Sequence, residues 1–215
     1  MKILAIDSST KVLCIGVYID GAFFEYNLDV GQKLSKLITI SLYRILQVLK
    51  LELKDLNYLA CGLGPGSFTG MRVAISTIKG LSLAFDKPII GISSLDILAM
   101  NAGLTSEYIM PVIDAKRQLI YTSIFKNSSA RLKRIAPFML LTKDELLNKI
   151  KPDSIVFGDG LNLYKAELNK FSKNIKLLDN DFWYPNAGNL LRLALDRLKD
   201  NKNFDAHNIK HIYLY

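Results

Sequence analysis

Three places in the sequence hold residues whose types and spacing can do chemistry. The first is Gly62-Leu63-Gly64-Pro65-Gly66-Ser67-Phe68-Thr69-Gly70, where four glycines and a proline let the backbone turn sharply and approach another group closely. The apolar residues 58–61 read as a strand leading into it, and residues 71–85 as a helix leading out. Ser67 and Thr69 are both suited to cap that helix. Free N–H groups and the helix dipole point the same way at such a junction, which makes an anion site. The competing reading is a tight strand-to-helix connection with no ligand. The second place is Asp7-Ser8-Ser9, at the tip of a first hairpin. A carboxylate beside hydroxyls there can hold a metal–phosphate complex. It can equally close the turn by accepting backbone N–H bonds, and the turn is favoured. The third is the pair His207 and His211. On a helix that spacing suits zinc. Residues 209–215 lack a helical pattern and no glutamate lies between the two, so they read as surface histidines.

Much chemistry is excluded by what the chain lacks. Gly70 is followed by Met71-Arg72, so no Walker A loop is present; Ser67 stands where a dinucleotide fingerprint needs its third glycine; Gly66-Ser67-Phe68 does not make a Gly-x-Ser-x-Gly elbow. No histidine precedes His207, which removes His-based general catalysis from the main body. Asp114 and Asp159 end apolar runs and read as turn-capping acids. Cys14 and Cys61 sit inside strand-like runs and read as buried free thiols of a reducing, cytoplasmic chain. No run reaches the roughly 18 apolar residues of a membrane span. The net charge is +8, concentrated after residue 103; the lysines are dispersed and read as a solvated surface.

The elements that position these residues follow from hydrophobic spacing. Residues 3–6, 12–19 and 22–28 read as three antiparallel strands, with Asp20-Gly21 as a hairpin turn. Residues 31–51 read as a long helix with Leu34, Leu37, Ile38, Ile45 and Val48 on one face, and with Ile40, Leu42, Tyr43, Leu46 and Leu49 off it. The helix after the glycine run is likewise apolar on more than one side, through Met71, Ile75, Ile78 and Leu83. Such helices are either sandwiched in a core or covered by another chain. After Pro88 comes a strand at 89–92, then a helix capped by Ser93 or Ser94 that runs to Ala99. Residues 101–103 mark a boundary, so residues 1–102 form a first lobe and 103–185 a smaller second one. In the second lobe strands are expected at 108–113, 119–126 and, with basic character, 131–141. Thr142 and Glu145 have capping-box spacing. A strand at 154–157 ends in Gly158-Asp159-Gly160, and a helix follows at 161–170. Trp183 is an interface anchor or a core plug, and an amphipathic helix near 186–200 packs back on the first lobe.

Taken together, residues 1–9, the run from Gly62 to Arg72 and the tract from Gly80 to Leu95 closely resemble the bacterial TsaB family, with Asp114-Ala115-Lys116-Arg117 similar to the start of its second lobe. The resemblance implies an α/β fold like that of actin, the heat-shock ATPases and sugar kinases, ribonuclease H-like, with two lobes each holding a mixed sheet. It implies a scaffold or regulatory subunit in the synthesis of threonylcarbamoyladenosine in tRNA. That subunit pairs with a metal-bearing catalytic subunit, TsaD, joined by the ATPase TsaE, and self-associates when alone. The catalytic paralogue's His-x-x-x-His site has no counterpart here, which implies no metal and no catalytic residue. Asp7, Ser8, Ser9, Gly64, Gly66, Ser67, Thr69 and Gly70 then form a vestigial phosphate loop, with ATP or ADP held weakly or within the complex. Leu34, Leu37, Ile38, Ile45, Met71, Ile75 and Ile78 become the partner interface. An ATPase or phosphotransferase of the same fold, with Asp7 on magnesium, stands as the alternative. A peptidase acting on the partner is the weaker one.

Overall fold

A computed structural model describes residues 1–31, 34–128, 131–169, 174–200, 209–212 and 214. The chain forms two compact units, one from Met1–Ile97 with Pro185–Ile212 and one from Leu98–Tyr184.

The first unit is built on a five-stranded sheet. Strand β1 (Lys2–Asp7) is apolar at four consecutive positions and buried at each, as a central strand covered on both faces must be. It pairs antiparallel with β2 (Val12–Ile19). Asp20 and Gly21, both with positive φ, then reverse the chain in two residues, a geometry that matches strand twist. Strand β3 (Ala22–Asp29) forms the exposed edge. With β4 (Tyr58–Gly62) and β5 (Ile89–Ile92) the order is β3-β2-β1-β4-β5, and β2 alone runs against the others. This is the ribonuclease H-like arrangement.

Helices cover both faces of this sheet. Helix α1 (Leu34–Val48) and helix α2 (Phe68–Phe85) bury Ile38, Leu42, Ala74 and Ile78 against Leu4, Ile6, Leu13 and Ile15. The short helix α3 (Ser94–Ala99) follows β5. On the opposite face, Ile3, Ala5, Ala60 and Ile90 cluster with Leu190, Leu191 and Ala194 of α6 (Ala187–Lys199). The first N–H groups of α6 have no partner within the helix. They are met by Asn186, which accepts from Asn189 N at 2.8 Å, by Glu25, which accepts from Gly188 N at 3.0 Å, and by Asn27, which accepts from Ala187 N at 2.9 Å.

The second unit repeats the same path. Strands β6 (Tyr108–Lys116), β7 (Leu119–Thr122), β10 (Met139–Leu141), β11 (Ser154–Phe157) and β12 (Ile175–Leu177) run in the order β10-β7-β6-β11-β12. Here β7 runs against the others, as β2 does in the first sheet. A hairpin of β8 (Phe125–Ser128) and β9 (Arg131–Arg134) is added between the second and third strands of the repeat and pairs with β6. Helices α4 (Lys143–Lys149) and α5 (Leu161–Asn169) complete the unit, and Thr142 and Glu145 form the anticipated reciprocal cap on α4.

Several elements differ from the sequence reading. The single strand expected over 119–126 breaks after Thr122, and the one expected over 131–141 divides into β9 and β10. Pro137 has no N–H to continue a ladder, and the Ser123 hydroxyl donates to Ala136 O at 2.8 Å across the gap. The helix after the glycine run begins three residues early, at Phe68, because Ser67 is its cap. Residues 209–212 adopt no regular secondary structure; Ile209 joins the first core and Ile212 N donates to Leu63 O at 2.8 Å. Trp183 is a core plug, 3% exposed, with its indole N–H on Leu178 O. Among the described residues no helix is long and apolar enough to cross a membrane.

Candidate functional site

Asp7 ends β1, and three segments of the first unit converge on it: its own turn, the glycine run after β4, and the start of α3. The carboxylate is fully buried. Its Oδ1 accepts from Ser9 N at 2.9 Å and from the Ser9 hydroxyl at 2.8 Å, while Oδ2 accepts from the Ser94 hydroxyl at 2.6 Å. The Ser94 hydroxyl in turn accepts from Gly64 N at 3.1 Å, and Ser94 N donates to Gly64 O at 2.8 Å. Ser67 N donates to Ser9 O at 2.6 Å, and the Ser8 hydroxyl donates to Gly70 O at 2.8 Å. Both sides of the loop are thereby laced to the acidic turn.

The glycines explain themselves in this geometry. A Cβ on Gly62 would sit 1.6 Å from Asp7 Oδ2, one on Gly66 2.2 Å from Ser9 O, and one on Gly70 1.9 Å from Ser8 O. A Cβ on Gly64, whose φ is +83°, would meet the Met71 sulfur at 2.0 Å. Each missing side chain leaves room for the chain's own atoms. Of the two capping candidates Ser67 is used, accepting from Gly70 N at 3.3 Å; Thr69 is exposed.

Burial raises the pKa of Asp7 above its usual 3.8, against the hydrogen bonds from Ser94 and Ser9 that pull it down. Burial also pushes the thiols of Cys14 and Cys61 up, and the negative charge of Asp7 adds to this, so both are inert. Among the described residues no group of His, Cys, Asp and Glu is placed to hold a metal. Asp159 accepts from Asp114 N at 2.9 Å and so ties β11's turn to β6. His211 lies in no helix; His207, and with it the histidine pair, lies outside the described residues.

The seven apolar side chains of α1 and α2 expected to meet a partner are turned inward. Leu34, Ile38, Met71, Ile75 and Ile78 are between 1% and 7% exposed, and Leu37 and Ile45 are half-buried against the same core. These seven serve the unit's own interior. Leu42 and Leu46, off the face that the spacing predicts, lie within the buried one, while Val48 is 81% exposed. The helix meets the sheet along 34, 38, 41, 42, 45 and 46, a stripe turned about one residue from the anticipated one. Its open side carries Ile40, Tyr43 and Val48. On α2 the open side carries Arg72, Ser76, Gly80 and Leu83 at helical spacing, and Phe68 lies half-exposed under the Arg72 guanidinium at 3.6 Å. Sequence reasoning missed Ser94 as the second anchor of Asp7. The Ser93-Ser94 pair was the only signal, and it reads as a helix cap; Ser93 takes that part, accepting from Asp96 N at 3.4 Å.

Comparison with known proteins fits this architecture. The family described as TsaD, tRNA N6-adenosine threonylcarbamoyltransferase, matches residues 29–210. A Buchnera aphidicola (subsp. Schizaphis graminum) protein named tRNA threonylcarbamoyladenosine biosynthesis protein TsaB is 30% identical over 195 residues, 88% of this chain and 90% of its own. The Escherichia coli protein of that name is 27% identical, covering 100% of this chain and 94% of its own. The structure of YeaZ from Pseudomonas aeruginosa superposes with a TM-score of 0.86 at 22% identity over 99% of both chains, a likeness of fold. Similarity therefore runs through the second unit as well as the first, and the chain belongs to the TsaB family, within the wider family named for TsaD.

Proposed function

We propose that this chain works in the biosynthesis of threonylcarbamoyladenosine in tRNA as a non-catalytic subunit that binds and activates a TsaD-like catalytic subunit. Family membership supplies the pathway. The observation that carries the division of labour is the closed Asp7 turn: its carboxylate is fully buried, and the glycines beside it are filled by Ser8, Ser9, Asp7 and Met71. A loop used that way holds two segments of a lobe together and leaves little to meet a phosphate. What such a subunit can contribute is differential binding, favouring the competent state of its partner.

The open side of α1 and α2 is the surface that suits this role. Ile40, Tyr43, Val48 and Leu83 are 49–81% exposed. Gly80 has nothing within 4 Å of where a Cβ would stand, so another helix can approach its backbone. In isolation the same surface would pair two copies of this chain. A TsaE-like ATPase and tRNA would join through the complex, in the cytoplasm.

The test is gel filtration and titration calorimetry of the chain with a TsaD-like subunit. A stable complex, weakened by Tyr43→Asp and Leu83→Asp with each variant still folded, is the expected result. Undiminished assembly by both variants would overturn this surface. ATP binding by the chain alone, lost in Asp7→Ala, would favour the phosphotransferase alternative instead.

A further inference from the structure

Between Asp114 and Asp144 the sequence has no acidic residue, and residues 115–143 carry seven basic ones. They are scattered along the chain, and the fold gathers part of them. The hairpin β8–β9 lies within this stretch and is the element the second sheet has beyond the strand order of the first. Its register sets Lys126 directly opposite Lys133 on one face. Like charges in that position repel and weaken the pair. Lys126 Nζ lies 4.7 Å from the centre of the Tyr108 ring, and Lys151 Nζ lies 4.8 Å from it. The acids nearest in sequence are engaged elsewhere. Glu107 accepts from the Thr105 hydroxyl at 2.8 Å, and Asp153 accepts from the Asn174 amide at 2.8 Å. Among the described residues no ion pair is made by Lys126, Lys133 or Lys151. Two ammonium groups thus lie over one half-buried aromatic ring, a third lysine stands across the hairpin from one of them, and among the described residues none of the three has a carboxylate partner.

We propose that this face of the second unit binds RNA, with Lys126 and Lys151 moving off the Tyr108 ring to take backbone phosphates beside Lys133, and the ring so uncovered stacking an unpaired base. A groove of cations around an aromatic platform is how single-stranded nucleic acid is held without reading its sequence. Unpaired loops and ends are where RNA offers a base for stacking. An acidic protein surface would use the charges but brings no base to stack on the ring. Phosphate drawn in between the lysines also removes the repulsion across the hairpin. The inference rests on the proposed pathway for the identity of the RNA, a tRNA. Its test needs this chain alone, so failure to assemble with a catalytic subunit and failure to bind RNA remain distinct results.

The experiment is fluorescence anisotropy of an unmodified tRNA transcript with the full chain over a salt series. Each phosphate contact contributes about 0.7–0.9 to the slope of log affinity against log salt. The variant Lys126→Ala/Lys133→Ala/Lys151→Ala should bind more than tenfold more weakly at low salt and lose about 2–3 from that slope. Tyr108→Leu should weaken binding roughly fivefold or more and leave the slope unchanged. Thermal melting checks that each variant is folded, and if Tyr108→Leu is not, the triple lysine variant decides by itself. Equal affinity and slope for wild type and the triple variant would overturn the proposal, as would absence of tRNA binding by the wild-type chain. Displacement of the tRNA by polyglutamate as readily as by single-stranded RNA of equal charge would also overturn it, in favour of an acidic protein partner.

Discussion

Gly62→Ala is the sharpest perturbation of the Asp7 site. Gly62 closes β4 with no positive φ, so alanine brings no backbone strain and its whole effect is steric. The new Cβ would lie 1.6 Å from Asp7 Oδ2, 2.4 Å from its Cγ and 2.8 Å from its Cβ. The obstacle is a buried carboxylate fixed by three hydrogen bonds, not the free end of a flexible side chain. Forcing extra volume into a packed site costs about 1–3 kcal/mol. Displacing Asp7 also breaks its bond from Ser94, and a hydrogen bond to a charged group is worth about 1.5–3 kcal/mol. The sum, about 2.5–6 kcal/mol, is a large part of the 5–15 kcal/mol that a domain typically has. Gly80→Ala is the control: with nothing within 4 Å it should gain about 0.8–1 kcal/mol from helix propensity alone. Chemical denaturation followed by circular dichroism reads both. Adding Asp7→Ala to Gly62→Ala removes the nearest atoms, so the double variant should lose at least about 1 kcal/mol less than the sum of the singles. A Gly62→Ala chain that unfolds at the wild-type midpoint would refute the reasoning, since a glycine kept for a ligand leaves the empty protein's stability unchanged when it is replaced.

Other outcomes follow from the same geometry. Burial raises the folded-state pKa of Asp7 above 3.8, so between 3.8 and that higher value the folded chain holds a proton that the unfolded chain has released. The stability this confers is complete below 3.8 and is lost as pH rises through the folded pKa; Asp7→Asn should lack that slope, as urea titrations from about pH 4 to 7 would reveal. Ile78→Asp, placing a charge at a position 1% exposed, should unfold the first unit; Leu83→Asp, at 74%, should leave melting nearly unchanged while weakening assembly with a TsaD-like subunit more than tenfold, about 1.4 kcal/mol. Calorimetry should detect no micromolar ATP binding by the isolated chain, because the loop's close approaches are spent on its own Ser8, Ser9 and Asp7.

Local chemistry determined the parts of this protein that depend on near neighbours. Asp20-Gly21 specifies a two-residue reversal, Thr142 and Glu145 a reciprocal cap, and the apolar run of β1 a central strand, because each is decided within a few residues. The glycine run announced a close approach, and a close approach is there. What approaches could not be read from it. Asp7 and Ser94 are 87 positions apart and meet only when β1 and β5 lie in one sheet. The sides of α1 and α2 were likewise beyond local reading. Both helices are apolar around most of their circumference, so periodicity leaves the rotation open, and the sheet chose the stripe containing Leu42 and Leu46. The basic hairpin shows the same limit. Its lysines are sparse along the chain, and only pairing across β8 and β9 sets them side by side, because a β ladder joins residues by register and not by sequence distance.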